Sequence, residues 1–314
     1  METLWLCGPC GVGKTATGWE LWSRLVAAGV PAGYADIDQL GMCYPERPED
    51  PGRFHLQARN LAAVIAGHRA AGARCVVVSG CVDARHGVRR DDLPGLDLTV
   101  CLLSATGDEL TRRFVGRQGT DAGLDVQLRE AATLSAATFP DVVVDTTGRT
   151  VPEVAAEIRR RTGWPRLTGT PAGDTLPAAA ADPGGRVLWV SGATCTGKSS
   201  AAFPVFLRLV QDGTPAAYVD LEQLGTVAHE IRARVLAAMW ANYRRAGARA
   251  LVLSGPVADD ATARLYAEAL PGAEVILRRL HAGPGTLTGR ILRRGRGEGT
   301  WHQPGDPLLG RPCV

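Results

Sequence analysis

Two tandem α/β domains, each a parallel sheet flanked by helices and the second one shortened, are what this 314-residue sequence predicts. Three observations predict it. Short apolar runs alternate with helix-length amphipathic stretches, the pattern of parallel strands joined by helices. One type of glycine-rich octapeptide occurs twice, each time after such a run and before such a stretch. Residues 4–41 also align without a gap with 188–225, which makes the chain an internal repeat.

The octapeptides are Gly8-Pro9-Cys10-Gly11-Val12-Gly13-Lys14-Thr15 and Gly192-Ala193-Thr194-Cys195-Thr196-Gly197-Lys198-Ser199. Both fit G-x-x-x-x-G-K-[ST], a loop that binds phosphate between a buried strand and a helix. Glycines let the backbone turn tightly enough to aim several N–H groups at one point. The helix that follows adds the positive end of its dipole. The Lys ammonium suits the β/γ-phosphates of a nucleotide, and the hydroxyl of Thr15 or Ser199 suits Mg²⁺. Leu4-Trp5-Leu6-Cys7 and Val187-Leu188-Trp189-Val190 are the apolar runs in front, fit for strands buried on both faces. Lys14 and Lys198 are the only lysines; every other basic side chain of this kind is Arg. Lys is thus kept where a compact point charge is wanted rather than a planar fork.

Composition bounds the possibilities. A chain of this length gives two domains of ordinary size, and 45% hydrophobic with 21% charged residues describes a globular protein. A net charge of +3 is too small to argue for nucleic acid or an anionic membrane. No apolar run is long enough to span a bilayer and no secretory signal opens the sequence, so the expected compartment is the cytoplasm. Cys7-x-x-Cys10 has redox-motif spacing, but Cys7 belongs to the first strand and Cys10 to the phosphate loop. The cysteines are expected to behave as small apolar residues. The stretches around His68 and His86 show no metal-ligand spacing and are expected at the surface.

Along the chain, Tyr34-Ala35-Asp36-Ile37-Asp38-Gln39-Leu40-Gly41 matches Tyr218-Val219-Asp220-Leu221-Glu222-Gln223-Leu224-Gly225. The first copy then carries about nine extra residues within Met42–His55, rich in Pro, Glu and Asp, which read as a loop. Beyond it the offset between copies becomes 175, pairing Arg59 with Arg234 and Ser79-Gly80 with Ser254-Gly255. Fourth strands are expected at Leu98–Leu103 and Val275–Leu280. Leu110-x-x-Arg113-x-x-x-Arg117 then matches Leu287-x-x-Arg290-x-x-x-Arg294, arginines four apart on one helix face. Only the first copy continues, with a helix from Leu124, a strand Val142–Asp145, the turn Thr146-Thr147-Gly148 and a helix Val151–Arg161. The expected division is a complete domain over 1–165, a Pro/Gly/Ala/Thr-rich linker over 166–185, and a domain over 186–314 lacking the last strand and helix.

On these motifs each half resembles the small-molecule kinases of the P-loop superfamily: the shikimate, gluconate, adenylylsulfate and nucleoside-monophosphate kinases, and chloramphenicol phosphotransferase. The resemblance covers about residues 3–162 and, less completely, 186–298. It rests on the phosphate loop, an acidic residue ending the second strand and the Arg-bearing helix after the fourth. It implies ATP and Mg²⁺ as cofactors and a small-molecule acceptor as substrate. Gly8, Gly11, Val12, Gly13, Lys14 and Thr15 would hold the phosphates, with Gly192, Thr196, Gly197, Lys198 and Ser199 as their counterparts. Thr147 and Gly148 would pack beside the adenine.

By the same resemblance Asp36 would serve the metal with Thr15, and Asp38 would orient or deprotonate the acceptor. Asp220 with Ser199, and Glu222, stand in those places in the second copy. Arg113 and Arg117, like Arg290 and Arg294, would close over the phosphates and stabilise transferring charge. Arg59 and Arg234 would bind the acceptor. The structural alternatives are helix capping for Asp36 and Asp38 and solvated helix faces for the arginines. Ser79 and Ser254 stand where motor ATPases end the third strand with an acid, and two lysines leave no room for a guanine-recognition motif. Rival functions are a non-catalytic or regulatory nucleotide-binding protein and a polynucleotide-end kinase, the latter disfavoured by the low charge.

Overall fold

The computed structural model describes residues 1–167, 184–225 and 227–296, apart from the side chains of Arg117 and Gln118. Most of the expected linker and the whole of 301–314 therefore lie outside the described residues. The chain divides into two compact units, Met1–Asp38 with Gln57–Asp174 and Gln39–Leu56 with Thr175–Val314.

In order, the first elements are β1 (Glu2–Cys7), α1 (Lys14–Ala27), β2 (Ala32–Asp36), α2 (Ile37–Leu40), β3 (Cys43–Tyr44) and α3 (Phe54–Ala70). There follow β4 (Cys75–Ser79), β5 (Asp97–Ser104), α4 (Gly107–Gln118), α5 (Leu124–Ser135), β6 (Val142–Asp145) and α6 (Val151–Thr162). The remainder comprises β7 (Arg186–Ser191), α7 (Lys198–Gln211), β8 (Ala216–Asp220), α8 (His229–Arg245), β9 (Ala250–Ser254), α9 (Asp260–Glu268), β10 (Glu274–Arg279) and α10 (Pro284–Gly295).

The sheet of the first unit runs β2-β4-β1-β5-β6, parallel throughout. β1 is central, with Leu4 opposite Val77 on one side and Thr99 on the other. All six of its residues are buried, as an apolar run covered on both faces requires. One face packs Leu4, Leu6, Cys75 and Val77 against Leu21 and Leu25 of α1 and Val154, Ala155 and Ile158 of α6. This places the end of β1, and the loop after it, at the middle of the sheet's carboxyl edge, where ligands of open α/β sheets bind. β2, on the far side of β4, ends on the same edge at Asp36, in register with Ser79.

In the second unit the order is β10-β7-β9-β8-β3. The first four strands are parallel and follow the same order as β5-β1-β4-β2. The fifth is a correction to the reading of Met42–His55 as a loop: Cys43 and Tyr44 pair antiparallel with Ala217 and Ala216. Tyr218 N–H donates to Met42 O at 2.9 Å, and Tyr44 packs on Phe206. Among the described residues no strand follows β10 along the chain, so this sheet takes its fifth strand on the opposite edge from β6 in the first.

His68 is a second correction. It is 5% exposed rather than superficial, its ring lying under Gly33 and its Nε2 3.2 Å from the Tyr34 carbonyl. Burial holds its imidazole down at about 4. His86, by contrast, is exposed, with Nδ1 2.8 Å from Asp83.

Candidate phosphate-binding and acceptor site

The loop between β1 and α1 keeps its shape through glycine. Gly8, Gly11 and Gly13 have φ of 144°, 83° and 102°, in the region L side chains avoid. A Cβ on Gly8 would lie 2.3 Å from the Leu103 carbonyl oxygen, so β5 leaves room there for hydrogen alone. Gly13 precedes α1, whose first turn contains no acid and whose end has no side-chain cap. The first N–H groups of the helix are therefore presented outward with the positive end of its dipole. The Lys14 side chain folds over the loop, 8% exposed, and donates from Nζ to Gly8 O at 2.8 Å and Pro9 O at 3.1 Å. Glycine cradle, uncapped helix start and buried ammonium together fit a chain of phosphates.

Asp36 and Asp38 leave β2 on the same edge. Asp36 Oδ1 accepts the Asp38 N–H at 3.0 Å, the local turn bond that short acids favour. Asp38 is exposed and its Oδ1 accepts the Cys81 N–H at 3.0 Å, fixing the carboxylate against the loop after β4. Glu130 of α5 was not singled out by sequence. Burial pushes its carboxyl up, Lys14 pulls it down and Asp38 pushes it up again, so Glu130, Asp38 and Lys14 share one neighbourhood. Nothing in the sequence around Glu130 marks it off from the other acids of its helix. Cys81 lies there too, its thiol pushed up to about 12, chiefly by burial. Cys7 is likewise held at about 12 by burial, and its thiol points to Cys101 O at 3.7 Å. It behaves as a strand residue.

The arginine of α4 faces the loop from its carbonyl side. Arg113 donates from Nη1 to Val12 O at 3.1 Å and to Thr146 Oγ1 at 3.0 Å, and from Nη2 to Thr146 O at 2.9 Å. Its Nε pairs with Glu109 at 2.7 Å; Arg112 pairs with the same acid and stays exposed. Hydrogen bonds from Arg112, then Arg113, pull the Glu109 carboxyl down to about 2. Arg113 thus ties the phosphate loop to the turn after β6, and its fork is engaged by protein oxygens. The side chain of Arg117 lies outside the described residues. Thr147 accepts the Thr106 N–H at 3.0 Å and donates to Asp145 at 2.7 Å, joining the ends of β5 and β6. Gly148 follows at φ 66° with open space where a Cβ would be. Arg59 is exposed on α3.

The second unit repeats much of this. Gly192 and Gly197 have φ of 153° and 95°, and Lys198 is 7% exposed. Cys195, aligned with Gly11, takes φ 63° without being glycine. Ser199 Oγ donates to Asp220 Oδ2 at 2.9 Å, bringing the expected metal-side hydroxyl and carboxylate together. Hard oxygens beside a phosphate loop are the donor set Mg²⁺ takes, with phosphates and water completing its shell. Arg290 donates to Cys195 O and Thr196 O at 3.2 and 3.1 Å, as Arg113 does to Val12. Arg294 Nη1 stands 3.9 Å from Cys195 Sγ, and Arg234 is exposed. Glu222 differs from its counterpart: Oε2 lies 3.7 Å from Lys198 Nζ. Among the described residues no three His, Cys, Asp or Glu cluster as ligands of a protein-only metal site, and no helix is long and apolar enough to cross a membrane.

No family model matches the chain, and no curated protein does. Among solved structures it is similar to an unliganded sugar kinase from Janibacter sp. HTCC2649, at 17% identity and TM-score 0.38, over 54% of this chain and 99% of that one. A gluconokinase from Sinorhizobium meliloti 1021 gives 20% and 0.34, over 52% and 97%. Shikimate kinase from Aquifex aeolicus vf5 gives 17% and 0.33, over 53% and 99%. Likenesses this distant carry no argument about function. What the chain does has to be read from its own loops and side chains.

Proposed function

We propose that the chain is an ATP- and Mg²⁺-dependent phosphotransferase acting on a small hydroxylated or anionic acceptor, with the chemistry mainly in the first half. In this reading residues 1–165 and 186–314 are tandem kinase-like halves joined by 166–185. The observation that carries it is the meeting of a buried Lys14 ammonium, a glycine cradle and the anchored Asp38 carboxylate on one sheet edge.

Phosphoryl transfer asks the protein for position, charge and an oriented acceptor oxygen. The loop N–H groups and Lys14 would hold the phosphates, and Thr15 with Asp36 would hold Mg²⁺. A nucleotide bound there supplies the phosphoryl group, and the metal offsets its charge. Asp38, held by the Cys81 N–H, keeps one carboxylate oxygen fixed and leaves the other to accept a hydrogen bond from the acceptor hydroxyl. Glu130 stands by as a second carboxyl, its proton held more tightly than usual, chiefly because of burial. Arg113 keeps the cradle closed from behind.

A metabolite screen for acceptor-stimulated ADP release, run on the wild type and on Lys14→Ala and Lys198→Ala, tests this reading. Release that depends on an acceptor and on Lys14 supports it. Nucleotide binding with no acceptor effect in any condition supports a regulatory binding protein instead. Asp38→Asn preserves an acceptor for the Cys81 N–H and should depress transfer more than nucleotide affinity. A loss confined to affinity contradicts its role.

A further inference from the structure

The two loops are matched in sequence but not in what holds their lysines. Asp38 aligns with Glu222, and Ser79-Gly80-Cys81 aligns with Ser254-Gly255-Pro256. In the first unit the acid accepts the backbone N–H of Cys81 at 3.0 Å. Lys14 makes no ion pair among the described residues and lies on two carbonyls of its own loop. In the second unit the residue aligned with Cys81 is proline, which has no N–H to give. The acid there is one methylene longer, and its Oε2 lies 3.7 Å from Lys198 Nζ. Lys198 also donates to Ala193 O, at 3.3 Å against the 3.1 Å of Lys14 to the aligned Pro9 O.

We propose that Glu222 is a built-in competitor for phosphate at the second loop, released for that task by Pro256. The inference rests on the reading that both loops bind nucleotide phosphates. Lys198 is 7% exposed while the Glu222 side chain is 53% exposed, so a surface carboxylate reaches in to a buried cation. A phosphate oxygen that takes Lys198 must displace it. Two consequences follow. Nucleotide binds the second loop more weakly than the first, and a carboxylate spent on Lys198 is not held ready for an acceptor. Binding there also releases the Glu222 carboxylate, while its turn stays held by buried Leu221 and Leu224, so the second loop can report nucleotide level by releasing an acid rather than by transferring phosphate.

Because Lys14 and Lys198 are the only lysines, biosynthetic labelling with ε-¹³C-lysine gives one NMR signal for each loop and leaves both ammonium groups unmodified. MgATP is the probe. In the wild type the Lys14 signal should titrate at lower MgATP than the Lys198 signal. Without nucleotide, Glu222→Gln should shift the Lys198 signal and leave that of Lys14 in place. With MgATP it should tighten the Lys198 titration by about two- to fivefold, the span expected of a partly exposed ion pair. The double variant Glu222→Asp with Pro256→Ala keeps the net charge, shortens the acid and restores an N–H; it should tighten that titration likewise. If only the charge-removing variant tightens it, overall charge and not the contact is responsible, and the proposal fails. It fails too if the Lys198 signal ignores Glu222→Gln while Lys14 still answers to MgATP. Silence of both lysines toward MgATP overturns the nucleotide reading and this inference together.

Discussion

Arg113 Nη1 lies 3.1 Å from the carbonyl oxygen of Val12, so α4 grips the phosphate loop by its backbone. Arg113→Ala would leave that carbonyl and the Thr146 carbonyl short of a donor. The expected cost is about 1–3 kcal/mol of stability, together with weaker MgATP binding. Arg113→Lys should not restore either, because one ammonium cannot span the oxygens the fork reaches. Thermal unfolding and a MgATP titration check this; an Arg113→Ala protein as stable as the wild type would mean the contact is incidental.

Glycine substitutions should separate geometry from mere flexibility. Gly8→Ala places a Cβ 2.3 Å from Leu103 O at φ 144°, so the loop and β5 cannot both keep their places. It should unfold the first unit or cost several kcal/mol, of the order of about 4. Gly148→Ala meets open space at φ 66° and should cost only about 1 kcal/mol. Circular dichroism melts of the two variants give the comparison, and equal losses would refute the steric account.

Lys14→Ala removes the loop's only ammonium but no core side chain. Its transfer rate should drop by about a hundredfold or more, as when one preorganised donor to developing charge is lost. The Gly8 and Pro9 carbonyls it leaves are buried and short of a donor, so the protein should also lose about 1–3 kcal/mol of stability. Coupled ADP release and the melt together test both halves of this statement.

His68 gives a pH signature. Its folded imidazole is held at about 4, below the ordinary value of 6.5, by burial. Between those values the unfolded chain takes a proton there that the folded chain refuses, so stability falls as pH drops through this window. The full loss is on the order of 3 kcal/mol. Denaturant midpoints at about pH 7 and about pH 5 should differ in the wild type, and less so in His68→Gln.

Much of this architecture was legible in the residues. The loop, the strand before it and the helix after it are local in sequence, and each is fixed by glycine, apolar runs and one lysine. β6 was read with its observed ends, while β5 and β10 were placed to within a residue or so. Two-residue β3 was not legible, because it is too short for any period and its partner lies far along the chain at Ala216 and Ala217. His68 was missed because burial on a helix face depends on what crosses it, here Gly33, whose missing side chain admits the ring. For Arg113, spacing gives position and not aim: the resemblance to kinases implies a phosphate contact, whereas its fork rests on Val12 and Thr146. Glu130 needs α5 folded back beside Lys14 before it means anything.

The strand β3 also sets an order of events during synthesis. Tyr44 is translated long before Ala216, its partner, and at cellular elongation rates the wait is roughly 10 to 35 seconds. The first sheet can form in that time without it, since its own strands come from elsewhere. Residues 39–56 must meanwhile stay unpaired and soluble, and their Pro, Glu and Asp content suits a strand that has to wait without aggregating. A gene fragment beginning at the linker would make the later half without this strand, leaving β8 as an open edge and Phe206 without the Tyr44 ring that covers it.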